Sequence, residues 1–281
     1  MCNLTFFAWP VCLAGTFLVA AAAYVILCRW RVTPTLDPVV FHHFPLIRKT
    51  VVTYDTAMYR FGLSDPDSVL GVPVGHHVKV MAYFDGKPIS RSYTPVSAVD
   101  DRGHFDLLVK SYPSGHVSKM FDELTLGDKI NVCGPKGRYE HRPDLHTHLG
   151  MIAGGTGLAP MLAVIRCVLG NRADKTRLHL IFANTRAEDI LLRRELDELS
   201  ATRPNFTVYY VLSHPPAQWD GGVGHVDEWT IRKHLPAPGR GVKILLSGSK
   251  PMMAAMTQYC EAIGHGRPQR PPRSEDRVFV F

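Results

Sequence analysis

The sequence feature that most constrains the fold is a glycine-rich turn, Gly154-Gly155-Thr156-Gly157, which lies between two apolar segments. Residues 149–153 predict a short buried strand, and residues 158–169 repeat apolar side chains at helical spacing. A strand that turns through glycines into a helix can bind an anion, because unpaired backbone N–H groups and the positive end of the helix dipole point at the turn. Taken alone, the motif also fits an ordinary strand–helix connection.

The C-terminal half alternates between strand-like and helix-like segments. Strands are predicted at residues 179–184, 206–213, 242–248 and 278–281, and helices at 188–201, 227–235 and 251–263. This alternation predicts a mostly parallel sheet with helices on both faces, which we assign to an α/β nucleotide-binding domain over residues 144–281. Ligands bind such sheets at the carboxyl ends of the strands. Four positions follow predicted strands and would meet at that edge: Gly154, Asn184, Ser213 and Ser247.

The preceding segment has the pattern of an antiparallel sheet. Apolar and polar residues alternate over 77–84, Asp85-Gly86 then marks a hairpin turn, and strand-like runs follow at 105–110 and 129–133. Residues 114–124 interrupt the pattern and are compatible with a short helix. Short strands at regular spacing predict a β-barrel or sandwich, and we assign a β-barrel domain to residues 46–143.

The N-terminal segment predicts a membrane anchor. Residues 4–28 carry no charge and are long enough to cross a bilayer as a helix, which takes about 20 residues. Arg29 and Arg31 follow at once, and positive residues prefer the cytoplasmic side, so the body of the protein is expected in the cytosol. We predict an anchor over 1–31 and a linker over 32–45, with a cleaved signal peptide as the alternative. One N-terminal anchor fits the endoplasmic reticulum and the mitochondrial outer membrane equally.

Composition narrows the classes of function. The net charge of +7 is modest, and no run of Lys and Arg forms a nucleic-acid-binding patch. Six cysteines are scattered without the paired spacing of zinc or iron–sulfur ligands, and the chain has no His-Pro-Gly-Gly haem-binding segment. No metal site is expected, and a one-electron acceptor would have to be a separate molecule.

Several motifs together resemble the ferredoxin-NADP reductase superfamily and, within it, the NADH-cytochrome b5 reductase family. They are Gly71-Val72-Pro73-Val74-Gly75-His76-His77, Arg91-Ser92-Tyr93-Thr94-Pro95-Val96-Ser97, Gly115-His116-Val117-Ser118, Gly134-Pro135-Lys136-Gly137, the turn from Gly154 to Pro160, Phe182-Ala183-Asn184 and Val278-Phe279-Val280-Phe281. The resemblance implies a flavin-binding antiparallel β-barrel followed by a parallel-sheet NAD-binding domain. It also implies hydride transfer from NADH to FAD, and then single-electron transfer to an acidic haem protein such as cytochrome b5.

The resemblance places the FAD contacts on the β-barrel. Arg91 would pair with the pyrophosphate through its planar guanidinium, Tyr93 would lie against the isoalloxazine ring, and Thr94 would hydrogen-bond the reactive edge of the flavin. The other implied FAD contacts are Ser97, Val109, Lys110, Tyr112, Gly115, His116, Val117 and Ser118.

The resemblance places the nicotinamide nucleotide on the second domain. The implied contacts are Gly154, Gly155, Thr156, Gly157, Pro160, Asn184, Ser247, Gly248, Met252 and Phe281. Thr94, Lys110 and Ser247 are the predicted catalytic residues, because the resemblance places Thr94 at the flavin edge, Lys110 near the cofactors and Ser247 beside the nicotinamide.

The sequence departs from the family pattern in two places. Residues 247–252 stand where the family has Cys-Gly-Pro-Pro-Pro-Met, so Ser247 replaces a cysteine beside the nicotinamide, and Ser249 and Lys250 replace two of the prolines. Serine is nearly isosteric with cysteine but lacks the polarisable sulfur, which predicts slower electron transfer or an altered nicotinamide pose without loss of activity. Ser213 replaces an acidic residue that favours NADH, so NADH is expected and NADPH is left open.

Two other functions also fit the sequence. One is a related flavin reductase with another acceptor, such as a quinone or a ferric chelate. The other is a membrane-tethered protein that binds flavin or nucleotide without catalysis, with Ser247 as the sign of lost activity.

Overall fold

A computed structural model describes residues 35–281, which form two sheets that face each other across a cleft. The predicted anchor, residues 1–31, and the first residues of the predicted linker lie outside this range. Among residues 35–281, no helix combines the length and the apolar character needed to cross a bilayer.

The first sheet is antiparallel. Its strands are β1 (His42–Thr53), β2 (Thr56–Gly62), β3 (His77–Phe84), β4 (Lys87–Tyr93), β5 (His104–Lys110) and β6 (Lys129–Lys136), in the order β4-β3-β6-β1-β2-β5. Just beyond β4, the N–H of Val96 donates to the backbone oxygen of Asp106 at 2.9 Å, and Pro95 forms a bridge with Leu107. The two edge strands therefore meet at one end and close the sheet into a barrel there.

Aromatic side chains fill the inside of this barrel. Phe61 and Phe105 stack with 5.4 Å between ring centroids, and Phe121 of helix α1 (His116–Glu123) packs edge-on against Tyr59. All four rings are at most 1% exposed. Helix α1 packs against β3, β4 and β5, which brings its N-terminus to the edge of the barrel.

The second sheet is parallel. Its strands are β7 (His148–Gly154), β8 (Arg177–Asn184), β9 (Phe206–Leu212), β10 (Gly222–Val223), β11 (Val242–Ser247) and β12 (Val278–Val280), in the order β10-β9-β8-β7-β11-β12. The helices are α2 (Leu158–Gly170), α3 (Arg193–Thr202), α4 (Glu228–His234) and α5 (Lys250–Ile263). Helices α2 and α3 cover one face, and α4 and α5 cover the other. The strand order reverses beside β7, so the end of β7 is the point at which ligands bind sheets of this kind. The prediction of an antiparallel domain followed by a parallel one is confirmed.

The start of the first sheet differs from its prediction. Strand β1 begins at His42, inside the predicted linker, so that prediction is wrong for residues 42–45. Phe44 explains the difference, because its ring is 3% exposed and packs edge-on against Phe105 while residues 42–45 pair with β6.

The predicted helix over residues 188–201 is broken near its start. A 3₁₀ turn, Ala187–Asp189, comes first, and Leu192 then has a left-handed φ of 53° before α3 begins. Ile190 and Leu191 are both buried, so the chain places two consecutive side chains in the core at this point. A residue with a left-handed φ cannot continue a right-handed helix, so α3 begins only after Leu192.

A buried lysine ties the end of the chain to the second sheet. Lys243 of β11 is 1% exposed, and its ammonium donates to the backbone oxygens of Ser274 and Asp276, each at 2.5 Å. Burial disfavours the charged form and lowers the pKa of Lys243 to about 8, although the charges of Asp276 and Glu275 oppose part of that shift. The folded protein therefore holds this proton less tightly than the unfolded chain does.

Lys243→Met is expected to remove one component of the pH dependence of stability. A lysine with a lowered pKa in the folded state makes the unfolding free energy rise with pH, from about 8 towards its usual value of 10.5. The rise attributable to Lys243 is on the order of 1–2 kcal/mol once local solvation is allowed for. Urea unfolding across this pH interval should show the wild type gaining stability relative to the variant. Parallel curves for the two proteins would contradict the assignment.

Candidate active site between the two sheets

A cleft of about 670 Å³ lies where the first sheet faces the second. One wall comes from β4, β5 and the start of α1, and the other from the turn after β7, the end of β11 and Phe281. Arg91 and Lys110 are basic members of the lining, and no Asp or Glu among residues 35–281 belongs to it. A cleft of this charge favours an anionic ligand.

Arg91 and Tyr93 form the centre of the first wall. Arg91 is exposed, and its guanidinium donates to the backbone oxygen of Ser90 at 2.9 Å without an acidic partner in the described part of the chain. The ring of Tyr93 packs edge-on against Phe121 at 5.2 Å, and burial raises the pKa of its hydroxyl to about 12. The Tyr93 hydroxyl therefore stays neutral. Because Arg91 makes only that one side-chain hydrogen bond within the described residues, most of its N–H donors remain available to a ligand.

The first turn of α1 completes this wall. Gly115 is the N-cap of α1, and a Cβ at this position would lie 2.2 Å from the Oγ of Ser118. That Oγ accepts the N–H of Tyr112 at 3.3 Å and donates to the oxygen of Gly115 at 3.2 Å. These bonds hold the turn so that a helix N-terminus borders the cleft, where its free N–H groups suit a phosphate.

The glycine turn forms the opposite wall. Strand β7 ends at Gly154, and the chain passes through a 3₁₀ turn, Gly155–Gly157, into α2. A Cβ on Gly157 would lie 2.4 Å from the backbone oxygen of Ser247, so this turn and the end of β11 touch through their backbones. Gly155 has a φ of +52° and open space where a Cβ would project. The turn predicted from sequence is confirmed. Gly157 is required by close backbone contact, and Gly155 by its positive φ.

Ser249, which replaces a proline of the family pattern, caps a helix. Ser249 is the N-cap of α5, and its Oγ accepts the N–H of Met252 at 3.4 Å. Pro251 follows in the first turn, where its missing N–H has no intrahelical partner to lose. Ser247 itself is 8% exposed and lines the cleft, as Thr156 does.

A second pocket of about 640 Å³ lies next to the cleft, along the ends of β8 and β9. The two spaces share Lys110, Tyr112, Gly154 and Ser249 in their linings. Asn184 lines the second pocket, and its buried Nδ2 has no hydrogen-bond partner within residues 35–281. Because a buried amide donor is normally paired, this atom is available to a ligand.

Lys110 of β5 lies where the cleft and the second pocket meet. Its Nζ is 2.8 Å from Asp55 and 3.8 Å from Asp189, so it connects the β1–β2 turn with the 3₁₀ turn after β8. Burial alone would lower the pKa of Lys110, but the hydrogen bond to Asp55 and the two carboxylate charges outweigh burial and raise it. The ammonium is therefore charged at the border of both spaces.

The structure brings most of the predicted site residues together. Those that line the cleft are Arg91, Tyr93, Thr94, Lys110, Tyr112, Gly115, His116, Val117, Ser118, Gly154, Thr156, Gly157, Pro160, Ser247, Gly248 and Phe281. Those that line only the second pocket are Gly155, Asn184 and Met252.

Two predicted contacts do not reach either space. Ser97 lies in neither lining, and its Oγ accepts the N–H of Asp106 at 3.2 Å. Val109 is 3% exposed, with its side chain in the barrel core. Ser97 lies past the point where the barrel closes, and strand alternation turns Val109 inward, so neither side chain lines these spaces and their contact with FAD stays a prediction.

Further cleft residues were not predicted from the sequence: His77, Ser92, Leu108, Ser114, Ala159 and Ser249. The sequence could have predicted His77. Its neighbour Val78 is fully buried, and alternation along β3 places His77 on the opposite face of the strand. Burial lowers the pKa of His77, and the charges of His76 and Lys79 lower it further. A neutral imidazole therefore borders the cleft.

The arrangement fits FAD and a nicotinamide nucleotide. On the barrel wall, Arg91 has free donors for a pyrophosphate, the α1 N-terminus adds backbone N–H groups, and Tyr93 presents an aromatic ring. On the opposite side, Asn184 offers an unpaired donor and Gly155 leaves open space.

Known proteins give an independent measure of this fit. The sequence model of the oxidoreductase FAD-binding domain matches residues 43–141, and that of the oxidoreductase NAD-binding domain matches residues 151–258. NADH-cytochrome b5 reductase 1 of Mortierella alpina is 48% identical over 249 residues, which cover 89% of this chain and 84% of that protein. The chain belongs to the NADH-cytochrome b5 reductase family. A Kluyveromyces lactis relative of the same name is 45% identical over 88% of this chain and 89% of its own length.

Solved structures show the same architecture for this member of the NADH-cytochrome b5 reductase family. The cytochrome b5 reductase domain of Ulva prolifera nitrate reductase is 31% identical with a TM-score of 0.81, covering 89% of this chain and 100% of that one. The CS-b5R domains of human Ncb5or, solved in an NAD+ form, are 25% identical with a TM-score of 0.74, covering 86% and 69%. The protein is an FAD-dependent oxidoreductase that uses NADH. In its described part, no cluster of His, Cys, Asp and Glu could hold a metal ion.

Proposed function

We propose that this reductase passes electrons from NADH through FAD to cytochrome b5. The observation that carries the proposal is the cleft, because Tyr93 on the barrel wall and Thr156 on the opposite wall line one shared space. A flavin against Tyr93 would face a nicotinamide ring laid across the glycine turn. The boundary between the flavin and nucleotide domains is proposed at residues 143–144, within the gap between the two matched segments.

The barrel residues would bind and orient FAD. Arg91 would hold the pyrophosphate with two parallel N–H donors, and the N-terminal turn of α1 would add backbone N–H groups. Tyr93 would fix the plane of the isoalloxazine ring, and Thr94 would hydrogen-bond its edge. The chemistry that FAD would supply when held by these residues is the uptake of two electrons as a hydride and their release one at a time.

The second sheet would bind and orient NADH. Asn184 would use its unpaired Nδ2, and Lys110 would place its charged ammonium near the phosphates. Thr156 and Ser247 would flank the nicotinamide, and Ser247 is buried, which limits the access of water. These residues would hold the two rings at the short distance that hydride transfer requires.

Cytochrome b5 as acceptor is supported by the names of the relatives and by charge. The Mortierella and Kluyveromyces relatives are named NADH-cytochrome b5 reductase 1. The net charge of +7 favours association with an acidic haem protein through complementary charge. The flavin-loaded protein should reduce cytochrome b5 through many turnovers with NADH. If the protein reduced ferricyanide but not cytochrome b5, the acceptor would be another molecule. A flavin that NADH cannot bleach would refute catalysis.

We further propose that residues 1–31 anchor the catalytic body on the cytosolic side of the endoplasmic reticulum or the mitochondrial outer membrane. Support comes from the uncharged segment 4–28 and from Arg29 and Arg31 directly after it. The full chain should resist carbonate extraction from membranes, whereas a chain lacking residues 1–34 should be released and remain active. Release of the full chain would refute the anchor.

Ser247→Cys is expected to speed flavin reduction about 2- to 10-fold, because the larger, polarisable sulfur would press the nicotinamide towards the flavin. Stopped-flow measurement at saturating NADH gives this rate directly. Ser247→Ala is the control, since it changes the same side chain without adding sulfur and should not raise the rate. Equal rates for wild type and Ser247→Cys would show that this position does not set the nicotinamide pose.

A further inference from the structure

A small annex of about 170 Å³ opens beside the second pocket. It is lined by Tyr54, Lys110, Thr185, Arg186, Asp189 and His214. Lys110, Thr185 and Asp189 also line the second pocket, so the annex is a side chamber of the proposed nucleotide site. None of the roles proposed for FAD or NADH uses its remaining members.

Arg186 in the annex has no acidic partner within residues 35–281. The carboxylate of Asp189 already has partners. It accepts hydrogen bonds from the backbone N–H of Arg186 at 2.9 Å and from the Tyr54 hydroxyl at 3.0 Å, and it lies 3.8 Å from the ammonium of Lys110. Lys110 is paired more closely with Asp55. The guanidinium of Arg186 is exposed, and within residues 35–281 it forms no ion pair and donates no hydrogen bond. Its planar donors are free for a phosphate group.

Ser213 and His214 stand where the second pocket and the annex adjoin. Ser213 lines the second pocket, His214 lines the annex, and the Oγ of Ser213 lies 3.1 Å from the Nδ1 of His214. A carboxylate at position 213 would engage the hydroxyls of an adenosine ribose and repel a phosphate on that ribose. Serine makes neither interaction strongly. Position 213 therefore places no negative charge between the second pocket and Arg186.

We propose that the annex receives the 2′-phosphate of NADPH, with Arg186 as its principal ligand, so that the protein uses NADPH as well as NADH. The inference rests on the proposed nucleotide site, and it adds a second substrate to that site. The extra phosphate lies at the adenosine end of the nucleotide, away from the nicotinamide. The same hydride is therefore transferred, and NADP+ is released in place of NAD+.

Calorimetric binding tests the annex independently of catalysis. Adenosine 2′,5′-bisphosphate should bind the purified protein about 10- to 100-fold more tightly than adenosine 5′-monophosphate, because one charge-assisted phosphate contact is gained. Arg186→Gln should abolish this advantage and leave adenosine 5′-monophosphate binding unchanged. Arg177→Gln is the matched control and should keep the advantage, since Arg177 is an exposed arginine at the start of β8, whereas Arg186 follows the end of that strand.

Kinetics provide the second measurement. The wild type should oxidise NADPH with a kcat/KM within about 10-fold of that for NADH, and Arg186→Gln should lower the NADPH value about 10- to 100-fold while sparing NADH. Equal binding of the two adenosine phosphates, or an equal loss with both coenzymes in Arg186→Gln, would overturn the inference. A protein that reacts with NADH alone would overturn the annex but leave the proposed function standing. A protein that binds FAD but reacts with neither coenzyme would overturn the proposed function.

Discussion

Arg91→Ala is expected to release FAD from an otherwise folded protein. The guanidinium lines the cleft and has no acidic partner within residues 35–281, so its donors are free to bind a pyrophosphate. A hydrogen bond to a charged group contributes about 1.5–3 kcal/mol, so losing two should weaken FAD binding about 100- to 10,000-fold. Quenching of flavin fluorescence on titration with the apoprotein measures the dissociation constant.

The control for this variant is another arginine of the same barrel. Arg48 of β1 is exposed and lies outside the cleft, so Arg48→Ala should keep FAD affinity. The circular dichroism spectrum and the melting temperature of the apoprotein should be unchanged in both variants. Full FAD retention by Arg91→Ala would place the pyrophosphate elsewhere.

Gly157→Ala should force apart the two turns that form the nucleotide side of the cleft. The new Cβ would lie 2.4 Å from the oxygen and 2.6 Å from the carbonyl carbon of Ser247, and 2.9 Å from the nitrogen of Gly248. The φ of −59° at Gly157 suits any residue, so the cost is steric and amounts to about 1–3 kcal/mol. We expect a melting temperature lower by several degrees. The kcat/KM for NADH should fall about 100-fold, because a shift of about 1 Å in ring position has an effect of that size.

Gly170→Ala separates this steric effect from a general effect of adding a methyl group. Gly170 is the last residue of the same helix, and a Cβ there would meet nothing within 4 Å. This variant should keep both the melting temperature and the NADH kinetics of the wild type. If Gly157→Ala also kept normal NADH kinetics, the glycine turn would not hold the nicotinamide.

The parallel sheet could be predicted because its local signals agree with one another. The apolar run before Gly154, the glycines and the helical spacing after Leu158 all indicate the same strand–turn–helix unit. The later strands are short apolar runs between amphipathic helices, and their predicted ends lie close to the observed ones. Since such strands end at one edge, the convergence of Gly154, Asn184 and Ser247 followed from topology alone.

The features that escaped prediction depend on contacts between residues distant in the sequence. Phe44 draws its strand into the barrel because it packs on Phe105, a partner that the local pattern around Pro45 does not reveal. Lys110 could be assigned to the site, but its pairing with Asp55 and Asp189 joins elements far apart in the chain. The annex around Arg186 forms only once the hairpin that carries Tyr54 lies against the second sheet.

FAD and NADH are proposed to meet in one cleft between the two sheets. Anaerobic titration of the flavin-loaded protein with NADH shows whether they do. One equivalent of NADH should bleach the yellow absorbance completely, since a hydride carries the two electrons that the flavin takes up. A flavin that stays yellow while calorimetry shows NADH bound to the same protein would rule out a shared cleft.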